Sequence, residues 1–183
     1  MATRYSDHFS TSGDDGDSLD MQVRASAGIS HGRVRYKRAR AGGLFLTSDT
    51  VRMMTFKSSD RLMELWLTTD GGSTAGAVNV GINLSGSNHD GAVIDADLFA
   101  TALTTSTITT RTNILGEAGS ALIAVAGEEA IEGQALWEIA AAHGGGSDTS
   151  DPMTEYDLVI TPSTSFTVAD SIVTMEAYYT SGD

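Results

Sequence analysis

The feature that most constrains the fold is a set of short segments in which apolar residues alternate with polar or small ones. The clearest is the octapeptide 77–84, AVNVGINL, where Val78, Val80, Ile82 and Leu84 fall at every second position. Successive side chains of a β-strand point to opposite faces of its sheet. This spacing therefore predicts a strand with one buried and one wetter face.

Several other segments have the same texture. They are 61–67, 134–139, 156–160 and 171–179, and 51–56 is a further short apolar run. In 61–67, Met63, Leu65 and Leu67 share one predicted face. The glycine-rich stretch 70–76 supplies turn residues between 61–67 and 77–84, which predicts a hairpin made of these two strands.

Helix signals are few. Residues 95–103, DADLFATAL, give the best one, because Asp95 is able to cap a first turn while Leu98, Phe99 and Leu103 pack inward. We therefore predict one short helix there.

The remaining connections are less regular. The threonine-rich stretch 104–112 favours a strand or an extended connection, and the apolar run 121–125 fits either a strand or a helix. About eight short strands with one or two helical turns predict an all-β fold. The expected form is an antiparallel β-sandwich or jelly roll, rather than a barrel or a mixed α/β fold.

The domain organisation follows from composition. Residues 1–30 are polar, rich in Gly, Asp and Ser and without a clear period, which predicts an N-terminal arm. Residues 31–183 are then most simply one β-sandwich domain. The chain has no cysteine, which excludes disulfides and thiol chemistry. Neither a signal peptide nor an apolar run of about 18–20 residues is present, so we expect a soluble protein made in a cytoplasm, without a membrane partner.

Charge is distributed very unevenly along the chain. Ten of the eleven Lys and Arg residues lie in 1–61, whereas 62–183 carry one basic residue against 17 acidic ones. The formal net charge of the chain is −13. Five basic residues share the octapeptide RVRYKRAR: Arg33, Arg35, Lys37, Arg38 and Arg40. This layout predicts one basic contact region on an acidic body that faces solvent.

The octapeptide leaves two interpretations open. As a strand, it would place its first three basic residues on one face, and Val34, Tyr36, Arg38 and Arg40 on the other. Nucleic acid is not the predicted partner, because the acidic body would repel phosphates. The arginines either contact carboxylates of a protein partner or protect an edge strand against pairing with another sheet.

Acidic residues dominate the remaining surface. The chain has 16 aspartates and only two lysines. Such a surface suits a high-salt setting, where screening removes its self-repulsion. A GC-rich genome that favours Arg over Lys explains the composition equally well.

The sequence contains no Walker loop and no G-x-G-x-x-G or H-E-x-x-H motif. Adjacent Glu128 and Glu129 would point apart on a strand and so do not form an acid–base pair. Two acidic stretches, 14–20 and 88–97, offer the oxygen ligands that calcium prefers, but neither fits the EF-hand spacing, and turns with a solvated acidic surface are the ordinary explanation. We therefore predict no enzyme, no cofactor and no metal site.

The four histidines also lack a ligand pattern. They lie in polar loops or in the arm, at His8, His31, His89 and His143. None pairs with another at the spacing of metal ligands, so solvated loop histidines are expected.

Taken in order, these segments resemble the head decoration, or capsid-stabilising, proteins of tailed viruses. The resemblance spans 33–179 and is carried by three stretches. They are RYKRAR leading into GLFLTSDTV at 35–51, RLMELWL at 61–67 ahead of the strand 78–84, and the closing pair YDLVIT at 156–161 and SIVTMEAYY at 171–179.

The resemblance implies a virion protein with a β-sandwich or jelly-roll body, made in the host cytoplasm and seated on the outer capsid surface. Its partners would be the major capsid protein and further copies of itself in a homotrimer. Bridging of capsid subunits would stabilise the assembled shell. The five basic residues of the octapeptide and the N-terminal arm would contact the shell. The aspartate-rich composition would suit a virus of a salt-loving host.

Two other functions stay open. A receptor- or glycan-binding β-sandwich of a spike, turret or tail component usually clusters exposed aromatics, whereas Trp66 and Trp137 lie in apolar strand patterns that predict core positions. A tail or connector ring protein is the other alternative, and the size of the ring would distinguish it from a trimer.

Overall fold

The described residues form nine β-strands, one α-helix and one turn of 3-10 helix. The computed structural model describes residues 2–5, 34–70, 76–86, 91–115, 133–143, 148–167 and 171–181. The strands are β1 (Ala2–Tyr5), β2 (Val34–Gly42), β3 (Asp49–Lys57), β4 (Arg61–Thr69), β5 (Ala77–Leu84), β6 (Val93–Thr104), β7 (Thr112–Asn113), β8 (Glu155–Thr164) and β9 (Ile172–Thr180). Helix α1 spans Leu136–His143, and the 3-10 helix spans Thr107–Thr109.

Eight of the strands form two antiparallel sheets of four. Sheet I has the order β2-β9-β4-β7, and sheet II has the order β3-β8-β5-β6. Pairing joins strands from the two halves of the chain: β2 with β9, β3 with β8, β4 with β7 and β5 with β6. One long hairpin, rolled so that successive strands alternate between two sheets, gives this order, which is that of a jelly roll. The prediction of an all-β antiparallel sandwich is confirmed.

Strand β1 lies within the predicted N-terminal arm. It adds a fifth strand to sheet II and runs parallel to β3, with Ala2 opposite Asp49 and Tyr5 opposite Arg52. Residues 6–30 lie outside the described residues. The division into an arm at 1–30 and a domain at 31–183 therefore stays a prediction.

The core lies between the two sheets. Strand β9 shows the cleanest alternation, since Val173, Met175, Ala177 and Tyr179 are buried and the residues between them are half-buried. The ring of Tyr179 meets Phe56 of sheet II edge to face, with 4.9 Å between ring centroids. Aromatic pairs of this kind contribute about 0.5–1.5 kcal/mol beyond their buried area.

The alternating segment 77–84 is strand β5, where Val78, Val80 and Ile82 are buried as predicted, whereas Leu84 at its end is exposed. Most of its predicted wetter face is buried as well, and at Gly81 the backbone of β6 comes very close. A Cβ at Gly81 would overlap the backbone of Asp95 and Ala96. Glycine is required there because two backbones approach each other closely.

The helix predicted at 95–103 is wrong, since these residues belong to strand β6. Leu98, Phe99 and Ala100 are consecutive and all fully buried, which imitates a helical pattern. The cause is irregular pairing, because three register shifts interrupt the ladder between β5 and β6. Pairing with β5 overrides the local helical spacing.

The strand predicted at 134–139 is also wrong, because most of it lies in helix α1. The sequence of α1, LWEIAAAH, consists largely of good helix formers. The Glu138 side chain accepts a hydrogen bond from the Ala135 N–H at 2.7 Å, as in a capping box. Two further N–H groups at the start of the helix donate to carbonyl oxygens of the β3–β4 turn, at 2.9 and 3.0 Å.

The structure differs from three smaller predictions. The hairpin of 61–67 with 77–84 does not form, because β4 lies in sheet I and β5 in sheet II. A bulge between Leu62 and Glu64 turns Leu62 inward and leaves Met63 exposed. The stretch 104–112 includes a 3-10 turn rather than only extended chain, and 121–125 lies outside the described residues. Within the described ranges, no helix has the length and hydrophobicity to cross a membrane.

Candidate interaction surface

The candidate site is the outer face of sheet I, which points away from the core. The basic octapeptide forms most of β2 at the edge of this sheet, as the strand interpretation requires. The register places Arg38 opposite Glu176, and Glu176 opposite Trp66 of β4. Three neighbouring strands therefore bring a basic, an acidic and an aromatic side chain into one row.

The basic residues of β2 are divided between its two faces. Arg35 and Lys37 share their face with buried Ala39, so they lie on the core side of the strand. Arg38 and Arg40 are exposed on the outer face. Arg33 lies outside the described residues. The described members of the predicted contact set thus do not form one continuous surface.

Lys37 reaches inward at the sheet edge. Its ammonium donates a hydrogen bond to the Thr55 carbonyl oxygen at 2.5 Å, and it lies 4.4 Å from the ring centroid of Phe56 and 5.1 Å from that of Tyr179. An inward-pointing charge on an edge strand discourages a second sheet from pairing there. The position of Lys37 supports the edge-protection interpretation for this residue.

Glu176 is the centre of the outer face. Its Oε2 accepts a hydrogen bond from Arg111 Nε at 2.6 Å, and its Oε1 accepts one from the Tyr36 hydroxyl at 2.8 Å. Arg38 Nε lies 3.7 Å from the same Oε1. Arg111 is the one basic residue after Arg61 in the sequence. The fold therefore brings the last positive charge of the chain onto the same face as the basic strand.

The protonation of this cluster follows from its contacts. Burial alone would raise the pKa of Glu176, but the hydrogen bonds from Arg111 and Tyr36, with the charges of Arg111 and Arg38, outweigh burial and lower that pKa. Burial, together with the bond to Glu176, raises the pKa of the Tyr36 hydroxyl. At neutral pH the cluster therefore holds one carboxylate, one protonated phenol and guanidinium cations.

Aromatic rings flank the charged cluster on both sides. The guanidinium of Arg111 lies 4.1 Å from the ring centroid of Trp66, whose Nε1 donates to Glu64 Oε2 at 2.8 Å. On the other side, the rings of Tyr36 and Tyr178 are 5.1 Å apart between centroids. A cation–π contact at an exposed site contributes about 0.5–1 kcal/mol. The outer face is thus a connected layer of aromatic rings and arginines.

The prediction of a core position for Trp66 is wrong, and the alternation of β4 explains why. Leu65 and Leu67 are fully buried, so Trp66 between them points outward, where it is half-buried. Trp137 packs against the core as predicted, although it does so from helix α1. Glu176 and Tyr178 were not identified from sequence, yet they alternate with the buried residues of β9 in the same way.

The outer face of sheet II differs, because its central residues are not accessible. Asp157, which alternates with the core residues of β8, is fully buried and forms an ion pair with Arg52, whose exposure is 3%. The Thr55 hydroxyl also donates to Asp157, at 2.7 Å. Of these two outer faces, the one on sheet I presents its charged and aromatic side chains to solvent.

The other predicted candidates contribute no described site. Asp95 and Asp97 of the second acidic stretch lie on β6, where Asp95 Oδ1 accepts a hydrogen bond from the Asp97 N–H at 3.0 Å. His143 ends helix α1. The other three histidines, the stretch 14–20 and the Glu128–Glu129 pair lie outside the described residues. Over the ranges that the structure describes, no three His, Asp or Glu side chains come together as a metal site.

Comparisons with known proteins give only distant likenesses. No family model and no curated protein matches the chain. One similar solved structure is described as the Cyanophage Pam1 capsid asymmetric unit, with a TM-score of 0.45, 13% identity, and coverage of 92% of this chain and 98% of that one. Another is described as the capsid of Ralstonia phage GP4, with a TM-score of 0.45, 14% identity, and coverage of 100% and 99%. Likeness at this level carries no argument about function, and the fold assignment rests on the strand order above.

Proposed function

We propose that this chain is a virion structural protein that binds the outer surface of a capsid and stabilises the shell by bridging capsid subunits. The outer face of sheet I carries the proposal. Arg38, Arg40 and Arg111 lie on that face, whereas the whole chain has a net charge of −13. Since the rest of the molecule repels acidic partners, such a partner is steered to one face and held in one orientation.

The mechanism requires no chemistry beyond binding. A protein that binds the assembled shell, and not the free capsid subunits, adds its binding free energy to the assembled state alone. Bridging between neighbouring subunits then opposes their separation. The partners in this proposal are the major capsid protein and further copies of this chain in a homotrimer, with the acidic remainder of the sandwich facing solvent.

The test uses shells assembled from the major capsid protein of the virus that encodes this chain. The purified chain is mixed with the shells, and both the bound fraction after sedimentation and the temperature of shell disassembly are measured. We expect saturable binding and a higher disassembly temperature. A chain that stays in the supernatant and leaves the disassembly temperature unchanged contradicts the proposal.

A receptor- or glycan-binding function is the second candidate, and one observation favours it. Trp66 is half-buried on the outer face and lies on the same sheet face as Tyr36 and Tyr178, where aromatic rings would stack on a sugar. The polar groups of Tyr36 and Trp66 are, however, already hydrogen-bonded to Glu176 and Glu64. Titration of a panel of glycans against tryptophan fluorescence tests this candidate, which requires a saturable change that the variant Trp66→Phe abolishes.

A further inference from the structure

We infer that the outer face of sheet I is a pre-ordered docking surface for a protein segment that carries carboxylates, with Arg38 and Arg111 as its anchors. The inference rests on the proposed function only for the identity of the partner, a capsid subunit. It adds that the face is ordered before binding and that Arg38 and Arg111 anchor the carboxylates of the partner. It also separates these two arginines from Lys37, whose ammonium is occupied at the edge of the core.

The residue types on this face are those that dominate protein interfaces. Trp, Tyr and Arg are enriched among the residues that contribute most to protein–protein binding. Here Tyr36 and Arg38 of β2, Tyr178 of β9 and Trp66 of β4 lie on three neighbouring strands, and Arg111, just before β7, lies against Trp66. The sheet presents four of these five residues in one layer.

Their side chains are also held in place before any partner arrives. Glu176 fixes Arg111 and Tyr36, and Glu64 fixes the indole of Trp66. Ordering a long side chain on binding normally costs about 0.5–1.5 kcal/mol, and side chains that are already ordered avoid most of that cost. The face is therefore prepared for docking without rearrangement.

The chemistry of the partner follows from the two arginine side chains that remain partly exposed on this face. The side chains of Arg38 and Arg111 keep 45% and 42% of their surface exposed, although each lies against Glu176. A guanidinium presents five N–H donors, and Arg111 uses Nε for Glu176, while both arginine side chains keep part of their surface exposed. Carboxylates match this planar fork better than any other protein group. Nucleic acid does not fit, because the charge of −13 opposes a polyanion that extends beyond the face.

The two tryptophans provide an internal control for a test by nuclear magnetic resonance. Each gives one indole N–H signal, and Trp66 lies on the proposed face whereas Trp137 lies on α1. A short poly-L-glutamate of about four residues serves as the carboxylate probe at low salt, because a longer polyanion would reach the acidic body, and because screening is strong beyond about 10 Å at 0.1 M ionic strength. We expect the probe to shift the Trp66 signal saturably and to leave the Trp137 signal unchanged. Poly-L-lysine, which the acidic body attracts, should not shift the Trp66 signal.

The same variants are tested for binding of poly-L-glutamate and for binding of shells. We expect Arg38→Gln combined with Arg111→Gln to weaken binding of both poly-L-glutamate and shells by about tenfold or more. Lys57→Gln, which changes an exposed cation at the end of β3 in sheet II, is the matched control and should leave both affinities within about twofold. Circular dichroism verifies that each variant is folded.

The outcomes separate this inference from the proposed function. Shells that bind the wild type and the double variant equally overturn the inference and leave the proposed function standing. A Trp66 signal that responds to poly-L-glutamate when shells do not bind supports the docking face and overturns the proposed partner. Equal shifts of both indole signals, or no shift of either, overturn the inference. A Trp66 signal that instead moves with the concentration of the chain alone assigns the face to a second copy and also overturns it.

Discussion

Arg111 Nε donates a hydrogen bond to Glu176 Oε2 at 2.6 Å across 65 positions of sequence. The contact joins Arg111, the one Lys or Arg residue in 62–183, to strand β9. Through Glu176 it also reaches Tyr36 and Arg38 of the basic strand. The fold thereby places basic residues from distant parts of the sequence on one exposed face of the jelly roll.

The first prediction concerns the stability that Glu176 contributes. Replacing Glu176 by Ala removes the carboxylate that accepts hydrogen bonds from Arg111 and Tyr36. We expect Glu176→Ala to lower the free energy of unfolding by about 1–3 kcal/mol, measured by urea denaturation. Glu155→Ala, at the exposed start of β8, is the control. Equal losses in the two variants would show that the cluster adds nothing to stability.

The second prediction concerns pH. The pKa of Glu176 is lower in the folded protein than in the unfolded chain, so the unfolded chain takes up the proton first as the pH falls. The contribution of Glu176 is present above the unfolded pKa of about 4.3 and disappears as the pH falls through the folded pKa. We expect the stability difference between wild type and Glu176→Gln to shrink below this pH. A difference that stays constant throughout the acid titration contradicts the assignment.

The third prediction concerns the buried ion pair on the outer face of sheet II. Asp157→Ala leaves the guanidinium of Arg52 buried without this carboxylate, which should cost about 3–5 kcal/mol of unfolding free energy. The double variant Arg52→Met, Asp157→Leu should recover most of that loss, because it removes both charges together. Arg40→Met on the exposed outer face should change stability by less than about 0.5 kcal/mol. A double variant as unstable as Asp157→Ala would contradict this account.

The fourth prediction tests the close approach of β5 and β6. Gly81→Ala places a Cβ against the backbone of Asp95 and Ala96, so we expect a loss of about 1–3 kcal/mol. Gly42→Ala is the matched strand control, since its Cβ would find its nearest atoms at an ordinary 3.9 Å. Thermal denaturation of the two variants decides the matter. Similar melting temperatures would mean that the strands separate readily at Gly81.

The fifth prediction compares the two lysines of the chain. Lys37→Leu removes the inward charge from the edge strand, so the exposed edge of β2 becomes open to another sheet. We expect this variant to aggregate faster than the wild type in light scattering, while Lys57→Leu behaves like the wild type. If both lysine variants remain equally soluble, Lys37 does not guard the edge.

The sandwich was predictable because the alternation of β5, β8 and β9 is local and regular. The strand order was not, because β2 pairs with β9 at the far end of the chain and no local pattern encodes such a partner. The same limit accounts for β6, where an irregular ladder buries three consecutive residues. The segment 134–139 was equally ambiguous. An apolar run this short fits either a strand or a helix, so the sequence pattern did not identify helix α1.

The candidate site was predictable only in part. The basic octapeptide was identified from its charge, and Arg38 and Arg40 lie exposed on the outer face. The division of its cations between two faces depends on which face meets the core, which alternation alone does not reveal. Arg111 and Glu176 join the surface through contacts between distant segments. The homotrimer and the adaptation to high salt stay predictions from the family resemblance and from composition.

Electron cryomicroscopy of shells decorated with the wild-type chain tests the central claim most directly. The account predicts density for the sandwich on the outer capsid surface, with the face that holds Arg38 and Arg111 turned toward the shell. Density in which this face points to solvent, or shells without added density at saturating concentrations of the chain, would contradict it.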